Sequence, residues 1–139
     1  MNPIIKLTDV DKFWLALNAY HEARGESADG IRAVIHVALN RAAKRKQSVF
    51  QVVTAPKQFS WTIGDAWPII KDNNALGRIY ALFPQVEAER DKAAATGTLP
   101  VSGADHYYAP KGMPGGKPPS WAATMKFVQQ IGGHRFYVA

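Results

Sequence analysis

Two strongly apolar helical stretches, hinged at a glycine, limit what this chain can fold into. The first is predicted from about Asp9 to His21. Thr8 is placed to cap it, with Asp9 and Asp11 in the first turn, where acids complement the helix dipole. Val10, Phe13, Trp14, Leu17, Tyr20 and His21 share one face at helical periodicity, and Leu15 and Ala19 are apolar on another side. A helix this apolar around its circumference belongs at the centre of a core. Gly25 then breaks the pattern. Ser27 can cap a second helix with Asp29 in its first turn, and Ile31, Val34, Ile35, Ala38 and Ala42 form its apolar stripe, ending near Ala43. The two helices make a hairpin, and its corner carries two carboxylates.

That corner reads Tyr20–Ser27, YHEARGES. Glu22 projects beside Leu15 and Asn18, so partial burial is expected. Apolar surroundings disfavour the charged carboxylate, and a general acid needs a proton retained near neutral pH. Glu22 is therefore the leading catalytic candidate. The competing reading is a helix-end glutamate paired with Arg24, and spacing alone favours it. Glu26 is the second candidate, with a capping role at the second helix as the slightly favoured alternative. Asp65 and Asp105, both in expected loops, are weaker partner acids.

The remainder reads as one domain over residues 1–139. A short helix is expected at Val49–Thr54 and a third at Asn74–Phe83. Pro84 ends that one or opens a fourth through Gln85–Thr96, with Gly97 as the stop. This last helix is alanine-rich and charged and is expected to be the most exposed. Residues 99–120 are rich in proline and glycine and are read as an aromatic loop over a groove. The final KFVQQIGGHRFYVA is two extended runs around Gly132-Gly133, a hairpin signal. The fold class is mainly α, with a small C-terminal β-hairpin.

Several chemistries drop out. With no cysteine there is no disulfide, thiolate site or cysteine nucleophile. The zinc pattern HExxH fails at Gly25, so no metal or other cofactor is expected. No phosphate-binding glycine loop and no GxSxG elbow is present. No apolar run approaches the roughly 20 residues of a membrane span. The N-terminus lacks the basic and apolar regions of a signal peptide. A net charge of +6 favours polyanions without choosing among them. Lys44-Arg45-Lys46 is read as a solvated helix end, and charge alone supports no nucleic-acid partner. Phe59, Trp61, Tyr107 and Tyr108 are candidate sugar-stacking rings, Gln58 and Ser60 candidate partners for sugar hydroxyls, and His106 a further substrate contact. Trp67 and Trp121 are assigned to the core.

Four segments in order, YHEARGES with GIRAVIHVALNRA, PKQFSW, ADHYYAP and IGGHRFY, resemble the SleB-type cell-wall hydrolases, which include spore cortex-lytic enzymes and phage endolysins. The resemblance spans about Ala16 to Tyr137. It implies a lysozyme-like helical fold that binds peptidoglycan glycan strands and cleaves them between N-acetylmuramic acid and N-acetylglucosamine, as a lytic transglycosylase. The family's catalytic glutamate maps onto Glu22; Glu26 belongs to the motif without a transferable role. A hydrolytic muramidase and a non-catalytic peptidoglycan-binding module are the alternatives. With no wall-binding repeat and no export signal, the expectation is a monomeric phage or prophage endolysin, held in the host cytoplasm until release.

Overall fold

A computed structural model describes residues 6–55 and 70–139. Helix α1 spans Asp9–Ala23. The Thr8 hydroxyl accepts from the Asp11 N–H at 3.0 Å, and the Asp11 carboxylate accepts from the Thr8 N–H at 3.1 Å. This reciprocal cap is worth about 1 kcal/mol. The helix runs two residues beyond the expected His21, which puts Glu22 inside its last turn. Leu15 through Tyr20 are all buried, whereas Val10 is 62% and Phe13 48% exposed. The predicted stripe therefore fails in the first turn. Helices α2, α3 and α4, given below, pack against α1, and its buried positions begin only at Leu15.

Helix α2, Ala28–Arg45, starts at Ser27, whose hydroxyl accepts from the Gly30 N–H. Its centre, Ala33 to Ala42, is buried throughout. It ends where Lys46 turns left-handed at φ 54. Helix α3 occupies Val49–Thr54 as predicted, with a second reciprocal cap between Ser48 and Gln51. Helix α4, Asn73–Tyr80, is capped by the Asp72 carboxylate. It stops three residues short of the expected Phe83, which instead opens α5, Phe83–Thr96, with Pro84 in the first turn. Proline costs nothing there, because that N–H has no helical partner. Gly97 ends α5 at φ 75.

Helix α5 is less exposed than expected: Phe83, Val86, Arg90 and Ala93 are buried. Arg90 is fully buried and donates to Asn40 Oδ1 at 2.6 Å. Burial pulls its pKa down to about 10. The Asn40 amide in turn donates to the Pro100 and Ala104 carbonyls at 3.0 and 2.9 Å. Lys44 donates to the Gly103 carbonyl from the same side. Between these fixed carbonyls, Val101 and Ser102 adopt left-handed φ values of 54° and 51°. A β-branched residue rarely tolerates that region, and the anchored turn holds it there.

The chain closes with an antiparallel sheet of order β1-β3-β2. Strand β1 is His106–Tyr108, β2 Lys126–Ile131 and β3 His134–Val138. The Gly132-Gly133 hairpin forms as predicted. Strand β1 corrects the reading of residues 99–120 as loop alone. It pairs with β3, setting His106 opposite Tyr137 and Tyr108 opposite Arg135. Strand β3 is thus central, and Phe136 enters the helical core fully buried. Among the described residues, no helix is long and apolar enough to cross a membrane.

Candidate active site

The corner between α1 and α2 meets the inner face of the sheet. Glu22 is half-buried in the last turn of α1, one turn beyond the fully buried Asn18. Strand alternation points Tyr107 of β1 inward, where it packs on His134 (ring centroids 5.3 Å) and Phe136 (5.8 Å). Its phenol lies close enough to Glu22, Asn18 and Arg41 to feel all three. Burial raises the Tyr107 pKa well above its ordinary value, and the Glu22 charge pushes the same way. The side-chain hydrogen bond with Asn18 and the Arg41 charge oppose that shift without reversing it. The phenol therefore keeps its proton and remains an O–H donor beside Glu22.

Arg41 reaches this point from α2, 4% exposed, and its Nε donates to the Asp105 carbonyl at 2.8 Å. Burial lowers its pKa, but a guanidinium stays charged. It places a fixed positive charge near Tyr107.

Glu26 is committed elsewhere. Its Oε1 accepts from the Gly133 N–H at 2.6 Å, and His134 Nδ1 lies 3.4 Å from the same oxygen. A Cβ on Gly132, at φ +55, would sit 2.5 Å from that oxygen, so any other residue there would displace the carboxylate and strain the turn. Glu26 is not the helix cap favoured from the sequence: Ser27 caps α2, and Glu26 fastens the β2–β3 turn to the helix corner.

Arg24 does not serve Glu22 in the manner of a simple helix-end pair; its guanidinium lies 4.6 Å above the Tyr20 ring. The Tyr20 hydroxyl accepts from the Lys71 and Asp72 N–H groups, both at 2.9 Å, tying the start of α4 to α1.

The other candidates divide by strand alternation. Tyr107 faces Glu22, while His106 and Tyr108 face the opposite side of the sheet, against Trp121. His106 Nδ1 donates to Asp105 Oδ1 at 3.0 Å. Asp105 also takes Lys44 Nζ at 2.9 Å and the Ala139 N–H at 2.9 Å. Burial alone would raise its pKa, but those donors together outweigh it and hold the carboxyl well below its usual range. Asp105 is thus an ionised anchor, and Lys44 is no merely solvated helix end. Gln58, Phe59, Ser60 and Trp61, with Asp65 and Trp67, lie outside the described residues. Among the described residues, no group of three or more His, Asp or Glu side chains is arranged to hold a metal ion.

Sequence reading missed Arg41. Its signal was a cation in register with Val34, Val37 and Ala38 on the apolar stripe of α2, a position that needs a buried partner. His134 also belongs to this cluster: its ring contacts Tyr107 and its Nδ1 approaches Glu26.

The sequence pattern of the cell wall hydrolase family matches residues 25–137. Glu26, Tyr107 and His134 fall within that stretch, and Glu22 lies just before it. No curated protein matches the chain. Two solved structures are similar over nearly all of it. One is the catalytic domain of the germination-specific lytic transglycosylase SleB from Bacillus anthracis: 25% identity, TM-score 0.59, covering 95% of this chain and 97% of that one. The other is the catalytic domain of the Bacillus cereus SleB protein: 21% identity, TM-score 0.63, covering 96% and 94%. Helical body, terminal sheet and the helix corner between them are the architecture of this group, and the chain belongs to the cell wall hydrolase family.

Proposed function

We propose that the protein cleaves the β-1,4 bond between N-acetylmuramic acid and N-acetylglucosamine in peptidoglycan, as a lytic transglycosylase with Glu22 as its single catalytic carboxylate. The observation that carries this reading is the half-buried Glu22 at the helix corner, facing a phenol that keeps its proton. Glu22 in its acid form donates to the glycosidic oxygen as the bond to C1 breaks, and the leaving sugar departs as an alcohol. The resulting carboxylate removes the proton from the muramic O6 hydroxyl as that oxygen attacks C1, which closes a 1,6-anhydro ring and restores the acid. Proton and charge balance without water or a second protein carboxylate. The neutral phenol of Tyr107 lies beside Glu22 and near Asn18 and Arg41, and we assign it the placing of the Glu22 carboxyl. Glu26 acts as a positioning residue, because its oxygen is already taken by the β2–β3 turn. Gln58, Phe59, Ser60 and Trp61 are proposed to contact the glycan.

The biological setting we propose is a phage or prophage endolysin, made in the host cytoplasm and released onto the wall. The net charge of +6 supports rapid encounter with an anionic wall.

The test is Glu22→Gln assayed on purified peptidoglycan, with products read by mass spectrometry. The variant is expected to fold normally and lose wall-clearing activity by at least about 1000-fold. Wild type is expected to release anhydro-muramic ends. Reducing muramic ends would make the enzyme a hydrolytic muramidase, and wall binding without released sugar would make it a binding module.

A further inference from the structure

The face of the sheet turned away from Glu22 is also concave. Strand alternation leaves Tyr108, Arg135 and Tyr137 on that side. The proline-rich connection between β1 and β2 curls back over them. Together they enclose a groove of about 800 Å³, with Tyr108, Gln130, Arg135 and Tyr137 as its polar floor and prolines along its wall. Neither Glu22 nor Tyr107 lines it.

Arg135 dominates this groove. Its guanidinium lies 4.1 Å above the Phe127 ring, and it donates to Tyr137 Oη and Gln130 Oε1 at 3.4 and 3.3 Å. These acceptors are neutral. Among the described residues no carboxylate pairs with it, and the shift of its own pKa comes from Tyr137 and Tyr108. The stacked, flattened guanidinium keeps a planar fork available to a carboxylate.

The surroundings reinforce this. From residue 106 to 139 the sequence holds Lys111, Lys117, Lys126 and Arg135 and no Asp or Glu, so this segment carries four of the six net positive charges. Proline and tyrosine walls suit aliphatic and backbone groups, while a neutral sugar chain would need more hydrogen-bonding groups than this floor offers.

We propose that this groove binds the carboxylate-bearing peptide stem of the wall polymer, with Arg135 as its anion receptor. The inference rests on the peptidoglycan reading above and deepens it: the enzyme grips a stem on one face of its sheet while the glycan is cut on the other.

The probe is the sugar-free stem tetrapeptide, alanyl-γ-glutamyl-diaminopimelyl-alanine, titrated into the full chain and followed by NMR. Wild type is expected to bind it, with shifts confined to the groove. Arg135→Gln is expected to weaken binding about tenfold or more, and Arg135→Lys by less, because it keeps the charge and loses the fork. Thermal melting checks that each variant folds. In turnover, the ratio of rates on stem-bearing and stem-free glycan should fall toward unity in Arg135→Gln. No binding by wild type, equal binding by a folded Arg135→Gln, or equal displacement by poly(glycerol phosphate) would overturn the proposal. Cleavage of stem-free glycan reports on Glu22 chemistry separately, so either reading can fail while the other stands.

Discussion

Glu26 accepts a hydrogen bond from the backbone N–H of Gly133 at 2.6 Å, across 107 residues of chain. The contact joins the helix corner to the sheet at the point where Glu22 and Tyr107 meet. It turns a conspicuous second acid into a fastener.

This fastener sets the cost of altering the turn. Gly132→Ala meets Glu26 Oε1 and also strains a left-handed φ of +55. A loss of about 2–3 kcal/mol is expected, read as a lowered denaturation midpoint. In a Glu26→Ala background the steric part disappears, so the same substitution should cost about 1–2 kcal/mol. Additive losses in this double-mutant cycle would argue against the contact.

Tyr107→Phe isolates the phenol. The ring keeps its packing against His134 and Phe136, so stability should fall by only about 1 kcal/mol. The rate of glycan cleavage should fall about 10- to 100-fold, because the carboxyl of Glu22 loses the neutral O–H beside it. A proportional loss of rate and stability would assign Tyr107 to packing alone.

His36 predicts a pH dependence of folding. It is 2% exposed, and burial lowers its pKa from 6.5 to about 4, against the opposing influence of Glu89 3.1 Å away. The folded chain resists protonation there while the unfolded chain accepts it. Stability is therefore full above pH 6.5 and is lost progressively as pH falls toward about 4, by something on the order of 3 kcal/mol. Chemical denaturation at stepped pH should show the slope in wild type and a much flatter one in His36→Gln.

Asp105 acts at lower pH by the same linkage. Its folded pKa is depressed, so its contribution is present above the ordinary carboxyl value of 3.8 and is lost as pH falls below it. Asp105→Asn leaves Lys44 and His106 without their anion and should destabilise the fold by about 2–4 kcal/mol at neutral pH. A melting temperature within a degree of wild type would show the anchor to be dispensable.

The helices were legible because their signals are local. Thr8 and Ser27 announce two starts, Gly97 one stop, and the caps form where expected. Strand β1 was hidden because its three residues lie among proline and glycine and are extended only by pairing with β3, some 28 residues on. For the site, the helical position of Glu22 pointed to its partial burial, but the division between Tyr107 and Tyr108 needed the strand. Neighbours in sequence, they face opposite sides of the sheet, and no helical or loop reading separates them. Glu26 was misjudged as a possible cap for a related reason: its partner lies at the far end of the chain, where spacing carries no information about contact.

The central position of β3 has a consequence for synthesis. The strand that completes both the core, through Phe136, and the fastening of Glu26 is the last of the three to be made. The helix corner emerges from the ribosome more than a hundred residues earlier and waits for it. Nascent chains therefore carry Glu22 without its finished surroundings until the β2–β3 hairpin docks.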